Sequence, residues 1–240
     1  MASQMDSTAT AHSTTAARSW HWSLFAVGVF GVVTQLWVVA TQPLTEQIIQ
    51  LSAPIRVWNV LSYFTIWSNI LVVVVALLLA RSPHRSGPMF NTLRLASVVM
   101  ITITGLIFAL VLEPIWESGG WQRVADVTLH YVVPPMAVIG FLLFGPRPQF
   151  SRTTLWGSLA IPLAWVAYTL IRSPFITYTE NGVTGHWYPY PFIDVDDIGY
   201  GRALGNIAAI FLLLVVMGGL YVFLDRKLPR RPTDKTRAGT

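Results

Sequence analysis

The stretch LSYFTIWSN, residues 61–69, opens an otherwise apolar run and places Ser62, Thr65, Ser68 and Asn69 at spacings i, i+3, i+6 and i+7. On a helix these four share one face. A second polar pair, Asp126 and His130 in ADVTLHYVVPP, is spaced i, i+4 and so stacks on one face as well. Hydroxyls and a carboxamide inside an apolar segment have two uses. They bond one membrane helix to another, or they line a site where chemistry is done. Ionisable groups within spans are functional candidates by default, and an imidazole can move a proton near neutral pH. His130 is the only histidine expected well inside a span: His12 and His84 fall in end or loop segments, His21 at a membrane edge and His186 in a loop. A lone imidazole is too few ligands for a zinc site, which takes three or four, so no metal is expected.

The elements that must position these groups are membrane helices. The chain is 53% hydrophobic and 11% charged, against about 25% charged in soluble domains. Ten Trp and eight Tyr fit rings that favour membrane interfaces. With no cysteine, disulfides, thiolate metal sites and a cysteine nucleophile are excluded. Apolar stretches of about 20 residues, enough to cross a bilayer, occur at about 20–40, 57–80, 91–112, 124–144, 153–173 and 202–224. A proline follows each within a few residues (Pro43, Pro83, Pro114, Pro146, Pro174 and Pro229), a helix stop signal. The expected fold is all-α: a polytopic bundle of six transmembrane helices over 20–225. The Ser/Thr/Ala-rich residues 1–19 are expected to be a disordered cytoplasmic tail, and 226–240 a basic one.

The net charge of +5 is not a nucleic-acid signature, because six of the sixteen basic residues lie in the last fifteen positions. No phosphate loop or nucleic-acid module accompanies them. The segments near 81–90 and 145–152 and both ends carry Arg18, Arg81, Arg85, Arg147 and Arg152 besides that tail. The alternate loops hold Glu46, Glu113, Glu117, Asp126, Glu180, Asp194, Asp196 and Asp197. Basic segments stay cytoplasmic, so both termini are expected inside. On that topology Thr65, His130 and Asn206 lie roughly 12, 9 and 6 Å below the starts of their spans, at about 1.5 Å per residue. They meet at nearly one level in the outer half. The inner halves of the same spans are almost purely apolar, which favours a blind outward pocket over a transport path. Pro134 and Pro135 are expected to kink span 4 and open space beside His130. The long outer segment 174–201 carries Trp187, Tyr188, Tyr190, Phe192 and Tyr200 and is expected to fold over the bundle mouth. Asp194, Asp196 and Asp197 read as a solvated acidic turn, with Arg202 as a partner for one of them.

YFTIWSN in span 2, TLHYVVPP in span 4 and GHWYPYPFID before span 6, in this order with basic inner loops, resemble one superfamily. It is that of the androgen-induced and androgen-dependent TFPI-regulating membrane proteins, with the bacterial Pr-six-Pr branch most similar, over about residues 20–225. The resemblance implies a threonine hydrolase of lipid esters, like the hydrolases of fatty-acid esters of hydroxy fatty acids, in a bacterial plasma membrane. It places the nucleophile on Thr65 and the histidine on His130. In that reading Asp126 orients the imidazole, and Asn69 or Asn206, with Ser68 in support, serves the oxyanion. Tyr63, Tyr188, Tyr190 and Phe192 line the substrate pocket. Membrane lipids and the lipid ester are the expected partners, and no cofactor is expected. From the residues alone, a lipid or small-molecule binding protein with the same pocket is the alternative, and a transporter the third reading.

Overall fold

The computed structural model describes residues 2–41, 52–180 and 183–231, with side chains over 14–41, 52–177 and 184–231. Pro43 and Glu46 lie outside the described residues. Six helical segments are long and apolar enough to cross a membrane: spans 1 to 6 are Thr14–Thr41, Phe64–Arg81, Pro88–Ile115, Gly120–Phe144, Arg152–Phe175 and Val195–Lys227. The protein is an all-α polytopic bundle. Its outward faces carry large apolar side chains such as Phe30, Leu110, Ile171 and Leu212, which suit hydrocarbon as solvent.

Span 1 belongs to a helix that runs Ala2–Thr41, in place of the expected disordered tail. Nothing interrupts it: the first glycine is Gly28 and the first proline Pro43, and five alanines, the residue of highest helix propensity, precede Arg18. His21, expected at a membrane edge, is buried in the bundle.

The expected helix 57–80 is two helices, Ala53–Val60 and Phe64–Arg81. The backbone turns at Leu61–Tyr63 because side chains from elsewhere hold the carbonyls and hydroxyl exposed there. Trp67 Nε1 donates to the Leu61 carbonyl at 2.7 Å, Trp165 Nε1 to the Ser62 carbonyl at 3.0 Å, and Arg172 to the Ser62 hydroxyl at 2.9 Å. Ser62 therefore belongs to the turn, and Thr65 sits in the first turn of the second helix.

Spans 3 and 4 each contain one π turn, at Phe108–Leu112 and Thr128–Val132. The second has a local cause. Pro134 and Pro135 carry no N–H, so the carbonyls of His130 and Tyr131 lose their α-helical donors. Gly105 of span 3 packs against this point. A Cβ there would lie 3.2 Å from the His130 carbonyl oxygen, so the glycine allows close backbone approach.

Segment 174–201 is more ordered than expected of a loop. It contains a hairpin, β1 Thr177–Glu180 antiparallel to β2 Val183–His186, then a 3₁₀ turn Pro191–Ile193. Asp194 caps span 6, its side chain accepting from the amides of Asp196 and Asp197. Asp196 pairs with His186 at 2.7 Å; Arg202 does not serve as its partner. Gly199, at φ +75°, bends the first turn of span 6 away from the rest, a conformation that favours glycine.

The opposite end of the bundle is latched by charge. Asp225 accepts the amides of Gln149 and Phe150 at 2.6 and 2.7 Å, and Arg147 caps the end of span 4 through the carbonyls of Phe141 and Leu142. Arg94 donates to the Pro146 carbonyl and to Gln149.

Candidate active site

The Thr65 hydroxyl lies 3.1 Å from His130 Nε2, and His130 Nδ1 lies 2.9 Å from the main-chain carbonyl of Asp126. A carbonyl only accepts, so Nδ1 carries the proton and Nε2 offers its lone pair to the Thr65 hydroxyl. The sequence-predicted pair is brought together, in the tautomer a general base requires. Both residues are buried, at 9% and 7% exposure. Phe108, from the π turn of span 3, stacks on the imidazole with centroids 3.7 Å apart and planes 11° apart.

The supporting residues act differently from expectation. Asp126 holds the imidazole through its backbone, not its carboxylate, because one helical turn aligns its carbonyl with Nδ1. Its carboxylate instead accepts from Trp116 Nε1 at 3.0 Å and Gln122 Nε2 at 2.8 Å. Asn69 is not aimed at an oxyanion. Its Nδ2 donates to the Thr65 carbonyl at 2.8 Å and the Leu129 carbonyl at 3.3 Å, tying the helix of Thr65 to the π turn of His130. Ser68 donates to the Thr65 carbonyl at 2.9 Å and meets the Thr104 hydroxyl at 2.8 Å. Asn206 is drawn away by the Phe192 carbonyl, to which its amide donates at 2.8 Å. It supports the 3₁₀ turn, not the site.

The donors near Thr65 that sequence reasoning missed are its own amide and the Tyr190 phenol. Thr65 is the second residue of its helix, so its N–H is among those the helical ladder leaves unpaired. It points to the Tyr190 hydroxyl at 3.5 Å. Burial pushes the Tyr190 phenol above its ordinary pKa, so it remains a proton donor. No sequence signal marks an amide at a helix start that exists only because span 2 is broken.

Two cavities meet at Thr65 and Tyr190. One, of about 540 Å³, is bounded by Tyr63, Trp116, Gln122, Asp126, His130 and Trp187. The other, of about 230 Å³, is bounded by Phe64, Ile107, Trp165, Phe192, Ile207 and Phe211. Tyr63 packs edge-on against both Trp187 and Tyr190. Tyr188 bounds neither cavity. It lies among Asp194, Asp196 and Tyr200. Of the four aromatic residues expected to line a substrate pocket, Tyr63, Tyr190 and Phe192 each line at least one of these cavities.

Chemically, the arrangement can do what a hydroxyl beside a neutral imidazole can do, attack a carbonyl, with the Thr65 amide and the Tyr190 hydroxyl it donates to standing next to that hydroxyl. The chain matches no protein-family model, no curated protein and no solved structure with which it was compared.

Proposed function

We propose that this protein is an intramembrane hydrolase of lipid esters, with Thr65 as nucleophile and His130 as general base. The observation that carries the reading is the Thr65–His130 contact of 3.1 Å, with Nδ1–H committed to the Asp126 carbonyl. The motif resemblance points to the same pair and to a bacterial plasma membrane, and the basic segments favour both termini on the cytoplasmic side.

Nε2 takes the Thr65 hydroxyl proton as Oγ1 attacks the ester carbonyl carbon. The carbonyl oxygen becomes an anion, and the Thr65 amide and the Tyr190 hydroxyl donate to it. Collapse of the tetrahedral intermediate breaks the ester C–O bond, and the leaving alkoxide takes the proton from the imidazolium. Water then attacks the acyl-threonine, losing its proton to Nε2. The acid departs and the Thr65 hydroxyl is restored. The hydrogen bonds of Asn69 keep nucleophile and base in register throughout.

Labelling purified protein with a fluorophosphonate and mapping the adduct by mass spectrometry tests this reading without a known substrate. The expected result is an adduct on Thr65 that disappears in Thr65→Ala and falls sharply in His130→Ala. Full ester turnover by folded Thr65→Ala protein would overturn it. Retention of an intact bound lipid, equal in wild type and Thr65→Ala and without any adduct, would establish a lipid-binding protein instead.

A further inference from the structure

The two cavities that meet at Thr65 differ in character, and an ester carbonyl placed at their junction must send one substituent into each. The smaller one is walled by hydrocarbon side chains and aromatic rings. Its Thr104 hydroxyl is engaged by Ser68, and its other hydroxyls, of Thr65 and Tyr190, stand at the junction. The larger one presents Gln35, Asn59, Gln122 and Asp126, which bond to one another or to Trp116 and Arg172 and keep further donor and acceptor capacity as amides and a carboxylate. Buried polar groups without partners are costly, so the substituent bearing oxygen or charge suits the larger chamber. A bare alkyl chain suits the smaller.

The smaller cavity also opens sideways. Leu163 of span 5 and Leu204 of span 6 stand on its wall and are 49% and 55% exposed, on faces that hydrocarbon would cover. Span 6 packs on span 3 and on the first helical turns of span 5, which leaves a gap between spans 5 and 6 at the depth of Thr65.

We infer that the cavity between spans 3, 5 and 6 receives the acyl chain of the ester, which enters from the bilayer between Leu163 and Leu204, while the alcohol portion occupies the chamber beside Asp126 and Gln122. This assignment rests on the hydrolase reading of Thr65. The cavity, of about 230 Å³, is walled for an alkyl segment. A longer chain leaves its tail in the bilayer. The protein is thus selective for an unbranched apolar acyl group and tolerant of polarity in the alcohol.

Alkyl fluorophosphonates test this, because the phosphorus-bound chain stands where the acyl chain would as Thr65 Oγ1 displaces fluoride. Labelling rates at Thr65 are measured on the full chain in nanodiscs with ethyl and octyl probes. Wild type is expected to favour octyl by tenfold or more. Ala208→Trp and Leu163→Trp, both at exposed positions on the cavity wall, are expected to erase that preference, read as the ratio of octyl to ethyl rates within each variant. Ile115→Trp, at the other chamber, is expected to keep it. Thr65 labelling with no octyl preference in wild type, or with the preference intact in both cavity variants, overturns the assignment and leaves the nucleophile standing. Absence of any Thr65 adduct in wild type overturns both.

Discussion

The ring of Phe108 lies flat on the imidazole of His130, centroids 3.7 Å apart, and each residue comes from a π turn in its own span. π turns insert an extra residue and are often found at functional sites. Here two of them face each other and orient one proton acceptor. Contacts of this kind are worth about 0.5–1.5 kcal/mol. Phe108→Leu is therefore expected to slow Thr65 labelling about two- to tenfold by loosening the imidazole, without moving the site of the adduct. Labelling rates at fixed probe concentration check this.

Asp126→Asn separates two ways of orienting a histidine. Where a carboxylate holds the imidazole, the amide replacement costs about 10⁴ in kcat. Here the backbone carbonyl holds Nδ1 and the carboxylate is bonded to Trp116 and Gln122. The expected loss is less than about tenfold, since the main chain survives the substitution. Turnover of any accepted ester, or the labelling rate, gives the answer.

Tyr190→Phe should keep the packing against Tyr63, Trp165 and Phe192 and lose only the hydroxyl. Removal of one oxyanion donor costs about 10²–10³ in kcat, and that is the expected loss, beside about 1–3 kcal/mol of stability because the buried Thr65 amide loses its acceptor. Burial raises the Tyr190 pKa, so the proton is held through neutral pH and up to the ordinary tyrosine value of about 10. Loss of this donor should set in only at higher pH. A rate profile from pH 7 to 10 should therefore show no fall that is present in wild type and absent in Tyr190→Phe.

Asn69→Ala removes two interhelical and intrahelical bonds to the carbonyls of Thr65 and Leu129. Hydrogen bonds between membrane helices are worth about 0.6 kcal/mol on average and up to about 1.7, so a stability loss near 1 kcal/mol is expected, with slower labelling of Thr65. Unfolding in mixed detergent, compared with Asn206→Ala as a variant outside the site, measures it.

Gly31→Val probes the packing that brings span 4 to the site. A Cβ at Gly31 would meet Leu129 Cδ2 at 2.7 Å and Thr128 Cγ2 at 2.9 Å, beside His130. Overpacking costs about 1–3 kcal/mol. The variant is expected to lose stability and labelling together, whereas Gly219→Val, with open space around its Cα, should lose neither.

Much of the architecture was legible in residue order. Six apolar runs, each about a bilayer long, gave six spans, because lipid selects for continuous hydrophobicity within a single segment. Thr65 and His130 were legible for the same reason: a polar group in such a run has few places to go. The break after Val60 was not. It depends on Trp67, Trp165 and Arg172 bonding to Leu61 and Ser62, and two of those donors lie more than 100 positions away. A 3.6-residue periodicity cannot register a distant hydrogen bond.

The roles of the supporting side chains divide along the same line. Sequence alone determined which residue types lie in membrane helices and which helical neighbours share a face, since both follow from local hydropathy and helix pitch. Only the tertiary structure decided that the Asp126 carbonyl orients His130, that Asn69 clamps two helices, and that Asn206 serves the Phe192 turn. It alone placed the Thr65 amide and the Tyr190 hydroxyl together where two cavities join. A hydrogen bond is fixed to within a few tenths of an ångström and by angle, and that precision arises when segments far apart in the chain are packed against one another.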